Sequence, residues 1–178
     1  MRRFLLRFLT SQLTSGMAIQ MMLIGLGWQV YLMTESAMAL GWVGLARYVP
    51  QILFTLHAGD MADRYDRHKV MIWSRVLLLI TIGALSYTSF TETITEEIIY
   101  IACFMLGVSR TFSMPAGQAM VPNLVPRQLL TQAMTLTASA RESITIVGPA
   151  LGGVIYILGA GTLYATSMLF VLISIVTL

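Results

Sequence analysis

The sequence predicts an all-α, polytopic membrane protein with six transmembrane helices. Hydrophobic residues make up 57% of the 178 residues and charged residues only 11%, against roughly 45–50% and about 25% in soluble domains. The mean hydropathy is +0.78. A soluble domain of this size cannot hide so much apolar surface, because a large share of every folded surface is already apolar. We therefore expect lipid to surround this chain.

Six mostly apolar runs are long enough to cross a membrane, which takes about 20 helical residues. Arg7 interrupts the first apolar run, and the 27 uncharged residues after it are too many for a secretory signal peptide. The last two runs are separated by Gly159-Ala160-Gly161, which is typical of a turn. The predicted spans cover residues 11–33, 40–58, 70–90, 98–121, 129–157 and 162–178.

The basic residues predict the orientation, because cytoplasmic loops of membrane proteins are enriched in Lys and Arg. One side of the six predicted spans carries only the acidic residues Glu35, Glu92, Glu96 and Glu97. The other side carries the basic residues Arg2, Arg3, Arg7, Arg64, Arg67, Lys69, Arg75 and Arg127. We therefore expect the N-terminus to lie in the cytoplasm.

Several function classes lack their characteristic residues. The only cysteine, Cys103, excludes a disulfide framework and a multi-cysteine metal site, and the two histidines have no metal-ligand spacing. The sequence contains no phosphate-binding loop, nucleophile elbow or HExxH motif. It also lacks the dense basic stripe of a nucleic-acid binder. We therefore expect no catalytic residues, no metal, no cofactor and no nucleic-acid partner.

Charged residues inside the predicted spans are candidate functional groups. A charge near the bilayer centre costs at least about 2.5–3.5 kcal/mol on insertion scales. Arg47, Arg110 and Arg141 lie in the second, fourth and fifth spans, and Glu142 is the only carboxylate deep in a span. One carboxylate cannot neutralise three arginines, so we expect them to face a polar cavity. If these spans contain a proton carrier, we expect it to be Glu142.

Polar and small residues recur at helical spacing on the faces that carry these arginines. Gln51 follows Arg47 by four residues, and Gln20 follows Gly16 by four. Such faces are typical of helices that line a cavity, although close helix packing is the alternative for the glycines. The predicted cavity residues are Gln20, Arg47, Gln51, Arg110 and Arg141.

The loop between the second and third spans reads GDMADRYDRHKV over residues 59–70. It resembles the G-x-x-x-D-R-x-G-R-R/K signature of the major facilitator superfamily. The matching residues are Gly59, Asp63, Arg64 and Arg67, and positions 66 and 68 depart from the pattern. From the residues alone, we expect Asp63 to cap the third helix and to pair with Arg67. The resemblance implies a gating role for this loop.

The segment GPALGG at residues 148–153 resembles the core of the antiporter motif of superfamily exporters. The matching residues are Gly148, Pro149, Gly152 and Gly153. Pro149 removes a backbone hydrogen bond and bends the helix, so an ordinary proline kink is the alternative reading. Residues 46–50 and 114–126 are similar to the siderophore-export and multidrug-efflux branch of the superfamily.

The resemblance implies the N-terminal six-helix bundle of a transporter with two such bundles. It implies proton-coupled export of a small molecule, such as a siderophore or a drug, by alternating access in a bacterial cytoplasmic membrane. The expected partners are the lipid bilayer, the solute, protons and a second bundle. That bundle could belong to the same polypeptide, a partner chain or a second copy, and we expect the chain to be a fragment.

Three alternatives to a complete transporter follow from the residues. Six helices could form a non-transporting membrane scaffold, or a half-transporter that needs a partner chain. A membrane-embedded enzyme is a weaker alternative, because His57 and Asp60 do not make the clustered site that such enzymes need. Solute-dependent proton movement in vesicles would favour the transporter over the scaffold.

Overall fold

The structure is a computed structural model that describes residues 2–178, and the side chains of all of these except residues 2–4, 123 and 127. It consists of six long helices, with no strand among the described residues, and it confirms the predicted fold class. The helices are α1 (Arg2–Thr34), α2 (Ala37–Arg64), α3 (Arg67–Phe90), α4 (Glu96–Leu124), α5 (Leu130–Tyr156) and α6 (Ala160–Thr177). A single turn of 3-10 helix, Arg127–Leu129, precedes α5.

Within residues 2–178, five helices are long and apolar enough to cross a membrane, and the remaining helix is α5. The polar composition of α5 explains the difference. Its exposed polar residues are Thr131, Gln132, Thr135, Ser139, Arg141, Glu142, Ser143 and Thr145. A helix with this surface is costly to place against lipid.

Helix α1 lies at the centre of the bundle. It packs mainly against α5 and α6, while α3 lies between α4 and α6, and α2 packs mainly against α4. The apolar core between these helices includes Met21, Met22, Leu26, Leu78, Ile82, Ile99, Leu106, Leu163 and Val171. A smaller apolar cluster lies at the end of the bundle that holds the α2–α3 loop, and it includes Phe8, Met71, Ala116 and Ala133.

Buried hydrogen bonds join α1 to α6 at two levels. The Ser11 hydroxyl donates to the Ser174 carbonyl oxygen at 2.7 Å, and the Ser174 hydroxyl donates back to the Ser11 carbonyl oxygen at 2.8 Å. Nearer the other end, the Tyr164 hydroxyl donates to Gln29 Oε1 at 2.5 Å. Polar pairs of this kind hold membrane helices together, because no water competes for them inside the bundle.

Glycines bring two helix pairs into backbone contact. A Cβ atom at Gly152 of α5 would lie 2.8 Å from the Cα atom and the carbonyl oxygen of Met21 in α1. A Cβ atom at Gly107 of α4 would overlap the carbonyl oxygen of Arg47 in α2. Neither position has room for a larger residue unless a neighbouring helix moves.

Candidate transport cavity and gating loop

A cavity of about 210 Å³ lies between α1, α4 and α5, with part of α3 in its wall. The helices leave this space because α4 makes few contacts with α1 or α5. The wall combines apolar residues such as Leu9 and Ile19 with polar ones. The polar residues of the wall are Gln12, Ser15, Gln20, Arg75, Arg110, Ser113, Thr137, Arg141 and Thr145.

A second cavity of about 330 Å³ adjoins the first between the same three helices. Gln12, Thr137 and Arg141 belong to the walls of both cavities, and Gln118 is added in the second. The two cavities therefore share part of their walls along α1, α4 and α5, and the first contains more of the polar residues.

Three of the five predicted cavity residues line the first cavity. They are Gln20 on α1, Arg110 on α4 and Arg141 on α5. Arg47 and Gln51 on α2 belong to neither wall. The backbone of α2 at Arg47 packs on Gly107 of α4, and α2 makes most of its helix contacts with α4. The half-buried Arg47 side chain lies within electrostatic range of Arg110.

Arg75 of α3 is a cavity residue that the sequence analysis missed. It was counted among the basic residues of the cytoplasmic side, but it is only 3% exposed and lines the first cavity. Its Nη2 donates to Gln12 Oε1 at 2.6 Å, and its Nε has no hydrogen-bond partner among the described residues. Arg75 lies five residues inside the predicted third span. A charge inside a span indicates a functional or structural role there, as it did for Arg110, and this position could have identified Arg75.

Glu142 points away from both cavities. It is exposed on α5, one residue after Arg141, and successive helical residues point about 100° apart. The walls of the two cavities contain no Asp or Glu among the described residues. The three guanidinium groups of Arg75, Arg110 and Arg141 therefore meet no carboxylate in these walls.

The structure corrects the predicted arrangement of the α2–α3 loop. Helix α2 continues to Arg64, so Gly59 and Asp63 lie within its last turns rather than in a loop. Asp63 is exposed and does not cap α3. The cap is Asp66, whose Oδ1 accepts a hydrogen bond from the His68 backbone N–H at 2.9 Å. Asp66 holds this role because it is the last residue before α3, where carboxylates cap best.

Arg67 has a partner other than the expected Asp63, and Arg64 pairs within α2. Arg64 Nε forms an ion pair with Asp60 at 2.6 Å on the exposed surface of α2. Arg67 Nη1 donates to the Ala119 carbonyl oxygen of α4 at 2.9 Å. Arg67 does not pair with Asp63, because the break between α2 and α3 interrupts the helical spacing of four. Arg67 thus joins the loop to α4 by a hydrogen bond to a backbone carbonyl oxygen.

The antiporter-like segment lies within α5, and part of it forms the contact with α1. Gly148 and Gly152 are buried, and their missing side chains let α5 approach Gln20 and Met21. Pro149 lies inside the helix, half-buried, and Gly153 faces open space. Only two of the four motif residues therefore take part in close helix packing.

No group of three or more His, Cys, Asp or Glu residues that could hold a metal ion occurs in the part of the chain that the structure describes. The site is therefore defined by arginines, amides and hydroxyls. These groups bind and orient a solute, and none of them forms a nucleophile–base pair.

A six-helix membrane bundle with an internal polar cavity is the architecture of a transporter bundle. A profile of the family described as transmembrane secretion effector matches residues 3–178. The chain therefore belongs to this family of the major facilitator superfamily, and its six helices correspond to the N-terminal half of such a transporter. The family consists of membrane transporters rather than enzymes, and the chain is a multi-pass membrane protein.

Bacterial transporters are similar in sequence to this chain. The staphyloferrin A transporter of Staphylococcus aureus is 33% identical over 135 residues, which cover 74% of this chain and 34% of the relative. Macrolide efflux protein A of Streptococcus pyogenes is 29% identical over 69% of the chain and 30% of its own length. Multidrug resistance protein 2 of Bacillus subtilis is 29% identical over 70% of the chain and 30% of its own length. The chain spans about a third of the length of these relatives.

Proposed function

We propose that this chain forms one half of a proton-coupled exporter of a small molecule that works by alternating access. The observation that carries the proposal is the arginine-lined cavity between α1, α4 and α5 within a bundle of membrane-spanning helices. In transporters built from two repeats, solutes bind near the middle of the membrane between the repeats. The similarity to a macrolide efflux protein and to a staphyloferrin A transporter supports transport of a small molecule.

The surface of α5 supports a second bundle. Glu142, Ser143 and Thr145 are exposed in the middle of this helix, where lipid contact would be costly. A second bundle, from the same polypeptide, a partner chain or a second copy, would cover these groups and enclose the cavity. In that arrangement Glu142 would face the interface between the bundles, where a proton carrier must exchange protons with both sides.

The proposed place of action is a bacterial cytoplasmic membrane, with the N-terminus in the cytoplasm. The α2–α3 end of the bundle carries Arg64, Arg67 and Lys69, and the positive-inside rule places this end in the cytoplasm. The opposite end carries Glu35 and Glu92. The gating role proposed for the α2–α3 segment rests on its tie to α4, since a movement of α4 would have to break or carry the Arg67–Ala119 contact.

Transport in inside-out membrane vesicles that contain the complete transporter tests the proposal. We expect at least one solute from a panel of ethidium, a radiolabelled macrolide and radiolabelled citrate to accumulate when an acidic lumen is established, and we expect the lumen to lose protons as the solute enters. For an anionic solute, Arg110→Gln and Arg141→Gln should each lower the initial rate about tenfold or more, since hydrogen bonds from charged groups contribute roughly 1.5–3 kcal/mol. Arg7→Gln, on an exposed part of α1, is the matched control and should transport normally.

Two results would contradict the proposal. Vesicles that move no protons with any tested solute, while the protein stabilises a partner protein, would favour the scaffold alternative. Normal transport by both arginine variants would remove the cavity from the mechanism.

Glu142→Gln isolates the coupling step, because it should leave solute binding intact and abolish the dependence of transport on the pH gradient.

A further inference from the structure

We propose that the cavity between α1, α4 and α5 is a binding site for an organic anion with more than one carboxylate, and that Arg75 is its innermost ligand. The inference deepens the proposed function and rests on it for the statement that the bound anion is exported. Its physical basis is the arrangement of Arg75, Gln12 and the two arginines of the cavity wall.

The charge of the cavity favours an anion. Arg75, Arg110 and Arg141 line one space of about 210 Å³, and no Asp or Glu belongs to its described wall. The ion pair that the described residues do contain, between Arg64 and Asp60, lies outside this space on exposed α2. A cationic solute would meet three positive charges here, whereas a carboxylate would meet planar guanidinium groups whose paired N–H donors match its two oxygens.

Arg75 provides a second and independent observation. Its side chain is almost completely buried, it makes one hydrogen bond, and its Nε donor has no partner in the described part of the chain. A buried charge without a counter-charge destabilises a protein, so such a group is retained where a ligand completes its environment. Arg75 lies eight residues from the start of α3, which places it about 12 Å inside the bundle.

Gln12 is the positioning residue for Arg75. Its Oε1 accepts the hydrogen bond from Arg75 Nη2, and Gln12 belongs to the walls of both cavities. Its amide nitrogen lies over Gly117 of α4, where a Cβ atom would approach Nε2 to 2.8 Å. The missing side chain at position 117 therefore leaves room for the amide to hold the guanidinium beside the cavity.

Thermal unfolding of the purified complete transporter in detergent tests the site with citrate as the probe. The three tryptophans report unfolding by fluorescence, and sodium chloride keeps the ionic strength constant as citrate is added. We expect the unfolding midpoint to rise with citrate concentration, because a ligand that binds only the folded state stabilises it. Acetate, with a single carboxylate, should produce a smaller rise at equal concentration.

The Arg75→Gln variant separates binding from folding. We expect it to unfold at a higher temperature than the wild type without citrate, because the unbalanced buried charge is gone, and to lose the citrate-dependent rise. Gln12→Leu should keep part of that rise. Arg7→Gln removes an exposed charge from the same helix as Gln12 and should behave like the wild type. If Arg75→Gln does not fold, Arg110→Gln and Arg141→Gln test the same site from other helices.

Three outcomes would overturn the site: no citrate-dependent rise in the wild type, the same rise with sodium chloride alone, or an undiminished rise in the arginine variants that fold. The binding measurement needs neither a proton gradient nor solute transport. Export of ethidium together with an absence of citrate binding would therefore overturn the anion site and leave the transporter. Citrate binding without export of any solute would overturn the transporter and leave the site.

Discussion

At the scale of single residues, neighbouring glycines of α5 have opposite surroundings. Gly152 is in contact with the backbone of Met21, whereas Gly153 has no atom within 4 Å of the position of a Cβ. The antiporter-like pattern contains both glycines and does not distinguish them. The structure separates a packing position from an exposed one, because a helix turns by about 100° between successive residues.

Gly152→Ala and Gly153→Ala make a matched pair for measuring this contact. We expect Gly152→Ala to lower the free energy of unfolding by about 1–3 kcal/mol, because the added methyl group would force α5 away from α1. Gly153→Ala should be neutral or stabilising by up to about 1 kcal/mol, since alanine favours the helix. Denaturant unfolding in mixed micelles measures both. Equal effects of the two substitutions would contradict the close approach at Gly152.

Tyr164→Phe tests the buried hydrogen bond between α6 and α1. The Tyr164 hydroxyl donates to Gln29 Oε1, and both residues are at least nine-tenths buried. Removing the Tyr164 hydroxyl should destabilise the chain by about 0.6–2 kcal/mol, the range expected for hydrogen bonds between membrane helices. Tyr87→Phe, at an exposed position, is the control. A Tyr164→Phe variant as stable as this control would show that the bond contributes nothing.

The residues of the site were only partly predictable from the sequence. Arg110 and Arg141 could be selected because a charge in the middle of an apolar run has few explanations. Arg47 has the same sequence signature but belongs to neither cavity wall, and its backbone packs on Gly107 of α4. Arg75 lies close to the α2–α3 loop in the sequence, so it resembled the basic residues that indicate which side of the bundle faces the cytoplasm. Which face of a helix meets which neighbour depends on tertiary packing, and a single sequence does not contain it explicitly.

At the scale of elements, the six helices could be predicted because apolar length and turn residues mark each of them. The chain turns between α5 and α6 at Gly159, which has a φ of +105° that favours glycine. The ends were less predictable. Helix α2 extends six residues beyond the predicted span, since its charged last turns leave the apolar layer and still form helical hydrogen bonds. This extension is the reason why Asp66, rather than Asp63, caps α3.

Asp66→Ala and Asp63→Ala test this assignment of the cap. We expect Asp66→Ala to destabilise the chain by about 0.5–2 kcal/mol, because the first turn of α3 loses its hydrogen-bond acceptor. Asp63→Ala should be neutral or slightly stabilising, because a carboxylate near the C-terminal end of a helix opposes the helix dipole. The free energy of unfolding measures both variants. If Asp63→Ala lowered the free energy of unfolding more than Asp66→Ala, Asp63 would be the cap of α3, as the sequence predicted.

At the scale of the whole molecule, α2 and α5 differ from the other helices in how little of their surface the bundle buries. Only five of the 28 residues of α2 are buried, and four of the 27 residues of α5. Their exposed faces differ, since α2 presents apolar residues such as Ile52 and Leu56, whereas the middle of α5 presents Arg141 and Glu142. The exposed polar face of α5 is the side from which a second bundle would have to approach.

Labelling of single cysteines from outside intact cells measures the orientation. Cys103 is completely buried, so a membrane-impermeant thiol reagent should not reach it. Lys69→Cys should react only after the cells are opened, and Glu97→Cys should react in intact cells. Both side chains are exposed, so a difference between them reports the side of the membrane rather than burial. The reverse labelling pattern would place the N-terminus outside.

The pairing of Ser11 with Ser174 joins residues that are 163 positions apart in the chain. Ribosomes deliver the N-terminal helix first, so α1 enters the membrane long before its two main neighbours, α5 and α6, have been made. During that interval its hydroxyl and amide groups must find temporary partners in the insertion machinery or in water near the lipid surface. The bundle can therefore close only after α6 has been made, and loss of α6 would leave Ser11 of α1 without its hydrogen-bond partner.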